Sequence, residues 1–241
     1  MEIGIIGAGM IGGTLARRLS QLNHKITIAN SRAPETLKHL AREINGKAGT
    51  VYEAGQDKDV VIITIPQKSI LTLPEDLFEN EKNDLVIIDT CNYYPLSRDG
   101  VINEIEQGLT SSEWVQEKVK RPIVKTFNSV SSVVLNNEGR PKGDRNRVAL
   151  PISGDRLKDK DIVADLLNQL GFDIVDVGEL KNSWKYELGA PAYGKHYTLN
   201  ILKEKLSNIG TGTVSELKAK VKEQRQVQDQ QFLDYLEQQK K

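Results

Sequence analysis

Gly7, Gly9 and Gly12 fall in the stretch GIIGAGMIGGTLARRL with G-x-G-x-x-G spacing. An apolar run over residues 3–6 precedes the loop, and a helix-patterned run over residues 11–22 follows it. Between a strand and a helix, each glycine has its own task. Gly7 allows a tight turn, Gly9 lets a pyrophosphate approach the backbone, and Gly12 lets the helix lie against the strand. The start of that helix offers free N–H groups and the positive end of its dipole to phosphate. The spacing predicts dinucleotide binding. The alternative reading is a strand-to-helix turn with a purely structural purpose.

The second strand of such a unit ends in TIANSR, residues 27–32. A carboxylate at this strand end would accept hydrogen bonds from the ribose hydroxyls of NAD and would repel a 2′-phosphate. Here Asn30 carries no charge, Ser31 can donate a hydrogen bond, and Arg32 can form a charge-assisted fork with phosphate. The set predicts NADP(H) rather than NAD(H). The plainer reading of Arg32 is a surface arginine in a loop.

These residues need a scaffold, and the chain pattern supplies one. Apolar runs at residues 3–6, 25–29, 60–65, 85–89, 123–127, 148–152 and 174–177 alternate with helix-compatible stretches at 11–22, 35–44, 101–119 and 159–170. Several runs are apolar nearly throughout, as strands covered on both faces must be. In the last helix Ile162, Val163, Leu166, Leu167 and Leu170 recur at helical spacing. Strand–helix alternation predicts an α/β fold with a doubly wound, Rossmann-type, mostly parallel sheet.

Residues 1–180 read as the nucleotide-binding domain, and residues 181–241 as an extension. The extension holds an ordered loop with prolines and aromatics, a helix over 199–207, a glycine-rich break (NIGTGT) and a polar, Gln-rich helix from Val214. Apolar positions are sparse between Val221 and Phe232. That helix is read either as solvated or as a lid or subunit-contact arm.

Lys plus Arg and Asp plus Glu balance at 33 each. Charge therefore gives no argument for a nucleic-acid or anionic-membrane partner. Aromatics make up 5% of the chain, too few to suggest a base-stacking surface. Cys91 is the sole cysteine, and no Cys/His set has zinc spacing, so neither a disulfide nor a metal is expected. The longest apolar runs, such as DVVIITIP, are too short to cross a bilayer. MEIGIIGAGM lacks the basic segment of a secretion signal. The expected location is the cytoplasm.

Together with its later segments, GIIGAGMIGGTLARRLSQLNHKITIANSR resembles the coenzyme F420-dependent NADP oxidoreductase family, whose NADP-binding domain is similar to that of pyrroline-5-carboxylate reductases. The other matching segments are VVIITIP, LVIIDTCNYYP, IVKTFNSV and the closing VALPISGD and DIVADLLNQLGFDIVDVGEL, all within residues 1–180. The resemblance implies roles. Ala8, Gly9, Met10 and Ile11 match the loop that holds the pyrophosphate. Ser31 and Arg32 match the 2′-phosphate site, and Ile65 and Pro66 match the turn beside the ribose and nicotinamide. Asn92 and Asn128 match strand ends facing the same crevice, with loop residue or strand terminator as the other reading of each. After Leu180 the chain departs from the family. SWKYELGAPAYGKHYTLN and a polar helix stand where the family has a compact apolar helical segment that helps form the second pocket. This part is similar to a bacterial subgroup with a Trp and a Pro-x-Tyr-Gly segment.

The implied activity is hydride transfer between NADPH and a small planar acceptor, a deazaflavin, flavin or similar. The alternative is a non-catalytic NADP(H)-binding protein that senses redox state or controls a partner. Hydride transfer needs alignment more than a strong base, and no catalytic residue is assigned. His24 and His39 read as structural. His196, in AYGKHY, belongs either to a lid that orients a planar substrate or to a loop packed by its own aromatics. Cys91 reads as a small buried residue. Residues 181–241 are too few for a long all-helical substrate domain. A small acceptor, or a pocket completed by a second subunit of a homodimer, fits that length.

Overall fold

The computed structural model describes residues 1–239. Its strands are β1 (Glu2–Ile6), β2 (Lys25–Ala29), β3 (Lys47–Ala48), β4 (Val60–Ile63), β5 (Val86–Asp89), β6 (Ile123–Lys125), β7 (Ala149–Gly154) and β8 (Asp173–Asp176). They form one sheet in the order β3-β2-β1-β4-β5-β6-β7-β8. All pairings are parallel except that of β6 with β7. The chain runs outward from β1 to β3, then crosses back to place β4 on the other side of β1. A crevice opens at such a reversal, at the carboxyl ends of the strands.

The helices are α1 (Met10–Gln21), α2 (Lys38–Glu43), α3 (Val51–Gly55), α4 (Asn103–Glu106), α5 (Ser111–Val119), α6 (Ser132–Asn137), α7 (Leu157–Gln169), α8 (Leu199–Ser207) and α9 (Val214–Gln238). β4 and β5 are buried along their whole length, because layers cover both faces. On one face Leu15, Ala16 and Leu19 of α1 pack with Val163, Leu166 and Leu167 of α7. On the other, Ala54 of α3 packs with Phe78 and with Trp114 and Val115 of α5. Each buried aliphatic side chain contributes about 1.5–3 kcal/mol.

Register then aligns the strand ends. Ile6 lies beside Ala29 and Ile63, Ile63 beside Asp89, and Asp89 beside Lys125. The next residues, Asn30, Gly7, Thr64, Thr90 and Thr126, therefore start a common rim.

Several expected boundaries differ from the observed ones. The run over 60–65 leaves the sheet after Ile63. The stretch over 35–44 is a 3-10 turn, Pro34–Leu37, followed by α2. The stretch over 101–119 is two helices, because Gly108 takes φ +130° and Thr110 starts a new helix. Thr110 Oγ1 accepts from Glu113 N while the Glu113 carboxylate accepts from Thr110 N, a reciprocal cap.

The larger correction concerns α9, which is docked rather than solvated along its length. Val221, Arg225 and Asp229 are buried at four-residue spacing on one face. Arg225 and Lys222 pair with Glu106 at 2.6 and 2.8 Å, and the Arg225 guanidinium lies 4.9 Å from the Tyr93 ring centre. The Asp229 carboxylate accepts from Leu96 N at 2.7 Å, Ser97 N at 3.2 Å and Ser97 Oγ. Val221 packs with Trp184 and Ala190 and Phe232 with Tyr94, but charged groups make the rest of the docking, so apolar periodicity alone does not reveal it.

The middle of the rim rests on a buried ion pair. Lys125 Nζ lies 3.0 Å from Asp89 Oδ2, and both side chains are 0% exposed. Ser112 Oγ donates to Asp89 Oδ2 at 2.7 Å, Cys91 N donates to Oδ1 at 2.8 Å, and Lys125 Nζ also donates to Cys91 O. Removing one partner strands a charge in the core and costs about 3–5 kcal/mol. Lys125→Met should lose that much in urea unfolding, and Asp89→Leu with Lys125→Met should recover most of it. Equal losses in the single and double variants would refute the pairing account.

Candidate functional site

Two of the three loop glycines are demanded by packing. Gly7 takes φ +113° and donates from its N–H to Ala29 O at 2.8 Å. A Cβ at Gly7 would lie 2.1 Å from Thr64 O, and one at Gly12 would lie 1.9 Å from Gly7 O. Gly9 is different: a Cβ there would meet nothing within 4 Å, and its φ of −74° suits any residue. A structural turn accounts for Gly7 and Gly12 but gives no reason for Gly9. Gly9 is also the N-cap of α1 and supplies no capping side chain, and no acidic residue occupies the first turn. The first N–H groups of α1 have no intrahelical partner. They face open space beside Ala8 and Ile11, with Met10 82% exposed. An open cleft of about 410 Å³ lies there between α1 and α6, lined by Ala8, Gly9, Met10, Gly13, Ser132 and Asn136 among others. Arg18 fixes that wall by donating to Leu135 O, Asn136 O and Leu170 O at 2.7–2.8 Å.

At the end of β2, Asn30 spends its side chain locally. Its Oδ1 accepts from Arg32 N at 2.8 Å and its Nδ2 donates to Thr36 Oγ1 at 3.0 Å. This turn, in which the side chain stands in for a backbone acceptor, holds Ser31 and Arg32 out from the sheet. Both are exposed. Among the described residues, Arg32 has no ion-pair partner and the Ser31 hydroxyl no hydrogen-bond partner.

Beyond β1, the rim continues through the ends of β4, β5 and β6. Thr64 N donates to Ile6 O at 2.8 Å, and Ile65 and Pro66, both half-buried, lead into a 3-10 turn over Gln67–Thr72. Asn92 and Asn128 come together. Asn92 Nδ2 donates to Asn128 O, and Asn128 Nδ2 donates to Tyr186 O, each at 2.9 Å. Phe127, at φ +61°, is a buried bulky residue in the left-handed region, a conformation that costs about 1–3 kcal/mol. Strong tertiary contacts hold it, and it turns Asn128 back toward β5.

The segment after Leu180 lies along this part of the rim. Tyr186 OH donates to Lys125 O at 3.2 Å, and Ala149 N donates to Tyr197 O at 2.8 Å. The Glu187 carboxylate accepts from Ser111 N and Ser111 Oγ at 3.0 and 2.9 Å. Tyr193 meets Tyr94 hydroxyl to hydroxyl at 2.6 Å. His196 sits at the exposed end of the segment without a hydrogen bond among the described residues, and partial burial pushes its imidazole below the ordinary range. His24 Nε2 lies 3.0 Å from Gln169 Oε1, and His39 is exposed. Cys91 is buried, and that burial, with Asp89 nearby, pushes its thiol well up. An un-ionised thiol is a poor nucleophile.

The sequence reading missed Asp89 and Lys125, whose signal is a charge inside an apolar strand, and it missed Arg98 and Asp229. Among the described residues there is no group of three or more metal-ligating side chains, and no helix is long and apolar enough to cross a membrane.

The two kinds of glycine predict two kinds of failure. Gly12→Ala should unfold more easily by several kcal/mol, since its Cβ would overlap backbone. Gly9→Ala should melt close to wild type yet bind NADPH at least about tenfold more weakly, a loss of about 1.4 kcal/mol. Thermal melts and a fluorescence titration check both. Unchanged NADPH affinity in Gly9→Ala would remove Gly9 from the site.

Comparison with known proteins bears on the fold and on what residues 2–93 resemble. Residues 2–93 match the family described as NADP oxidoreductase, coenzyme F420-dependent. A 61-residue stretch is 31% identical to the Escherichia coli protein YjhV, spanning 25% of this chain and 44% of that protein's length. A solved hypothetical protein of Sinorhizobium meliloti is 29% identical, with a TM-score of 0.69, over 82% of this chain and 96% of that one. A candidate F420-dependent NADP reductase of Arthrobacter sp. FB24 is 21% identical, with a TM-score of 0.62, over 76% and 87%. An imine reductase of Myxococcus stipitatus, solved with NADP+, is 21% identical, with a TM-score of 0.53, over 74% of this chain and 55% of that one. Residues 2–93 thus carry the signature of the F420-dependent NADP oxidoreductase family, on a Rossmann-type fold shared with solved reductases.

Proposed function

We propose that this protein is an oxidoreductase that passes a hydride between NADPH and a small planar acceptor of the deazaflavin or flavin type. Residues 1–180 are the nucleotide-binding domain, residues 181–241 complete the acceptor side, and the cytoplasm is the proposed location. The observation that carries the reading is an unobstructed helix start at Gly9 on the same rim as the Ser31 and Arg32 side chains, which have no partner among the described residues.

The residues present fit the dinucleotide. Gly7, Ala8, Gly9, Met10, Ile11 and Gly12 would cradle the pyrophosphate through backbone N–H groups. Arg32 and Ser31 would take the 2′-phosphate, with Asn30 shaping their turn and adding no charge. Ile65 and Pro66, at the end of β4, would border the nicotinamide ribose. Asn92 and Asn128 would fix the floor of the nicotinamide half by cross-linking β5 and β6. When bound, NADPH supplies the hydride from its nicotinamide ring. The protein's share is to hold the two rings in register and keep water away. The knitted floor of Asn92, Asn128 and Tyr186 serves that purpose, since each amide is tied to a neighbouring strand or segment.

Arg32→Ala tests the reading. A hydrogen bond to a charged group is worth about 1.5–3 kcal/mol, so NADPH should bind about 10- to 150-fold more weakly. NADH, lacking the 2′-phosphate, should bind unchanged. Asn30→Asp should also weaken NADPH, by repulsion, and raised salt should weaken NADPH more than NADH. Equal losses of both nucleotides in Arg32→Ala would show that Arg32 does not read the phosphate.

A further inference from the structure

On the β5 side of the rim, the chain from Asn92 to Asp99 is tied into a rigid turn. Asp99 accepts from Tyr94 N at 2.8 Å and from Lys68 N at 3.2 Å. Arg98 pairs with Asp99 at 2.9 Å, donates to Asn92 O, and lies 4.8 Å from the Tyr94 ring centre. Phe232 of α9 packs on the same ring at 5.6 Å. The ring of Tyr94 is thereby clamped, and only its hydroxyl reaches toward Tyr193.

That hydroxyl contact has a stoichiometry. Two phenols bring two protons, and one proton joins the oxygens. One O–H is left to donate elsewhere. Burial raises the Tyr193 pKa, so that phenol stays protonated, and either hydroxyl can be the donor. Whichever hydroxyl donates across the contact, the pair, with both residues half-buried, keeps one O–H for another acceptor.

Tyr94 follows β5, on the side of β4 away from β2 and Arg32, and Tyr193 meets it from the segment after Leu180. A dinucleotide whose 2′-phosphate sits at Arg32 extends its nicotinamide toward this side.

We propose that the Tyr94–Tyr193 hydroxyl pair is the polar wall of the acceptor site, and that it takes a planar ring system with a carbonyl oxygen or ring nitrogen at its edge. Asp229 of α9 is its positioning residue. Its carboxylate, 0% exposed, holds Leu96 and Ser97 and so fixes the turn that carries Tyr94 and Arg98. The C-terminal helix thus shapes the site twice, through the turn that Asp229 holds and through Phe232 against the Tyr94 ring. The proposal rests on the NADP(H) reading above.

The test titrates the full chain, saturated with NADP+, with 5-deazariboflavin and with riboflavin, following ligand fluorescence. Wild type should bind at least one probe. Loss of one neutral hydrogen bond in Tyr94→Phe should weaken it about 3- to 10-fold. Asp229→Asn should shift probe affinity in the same direction, while NADP+ affinity stays within about twofold in both variants. A merely structural role for Asp229 would lower melting temperature and both affinities together. Wild type that fails to bind NADP+ overturns the nucleotide reading itself. Wild type that binds NADP+ but neither probe, or folded variants with unchanged probe affinity, overturns this proposal alone.

Discussion

The carbonyl oxygen of Gly7 occupies the space where any side chain at position 12 would begin. That contact sets how closely α1 approaches β1, and much of the crevice follows from it. With α1 pressed against the first strand, its N-terminus ends at the rim where β2, β1, β4, β5 and β6 finish in register. Arg18, one turn before the end of α1, then reaches the carbonyls closing α6 and α7. The helix start, the wall beside it and the cleft between them are consequences of one close approach that only glycine permits.

The other half of the crevice is built by charge rather than by apolar fit. Asp89 and Lys125 meet inside the sheet, Glu187 caps the start of α5, and Asp229 takes up the N–H groups of residues 96 and 97. Groups of this kind are costly to bury and cheap to satisfy only in one geometry. Such geometry fixes Asn92, Tyr94 and Asn128 more narrowly than interchangeable aliphatic contacts would. It suits a reaction whose main demand is alignment.

The difference between these halves also explains what the sequence made legible. Gly7, Gly12 and the apolar runs at β1, β4 and β5 announce themselves, because steric exclusion and burial act on residue type at fixed spacing. The crevice line follows from strand order alone. The docking of α9 does not, since Arg225 and Asp229 look like solvent-facing residues until their partners, Glu106 and the turn at Leu96, are known. Three T-x-x-E segments, starting at Thr50, Thr110 and Thr213, are local signals that mark the starts of α3, α5 and α9; the helix expected over 101–119 overlooked the second. Asp89 and Lys125 were visible as charges within apolar strands, but their pairing depends on the β5–β6 register.

In the proposed function the end of β2 reads a phosphate on the adenosine ribose. Fragments isolate that contact from the nicotinamide half. Calorimetric titration of the wild-type protein with adenosine 2′,5′-bisphosphate and with AMP should give at least about a tenfold advantage to the bisphosphate, or roughly 1.4 kcal/mol. That advantage should shrink as salt screens the Arg32 contact. Equal affinities for the two fragments at low salt would contradict the account.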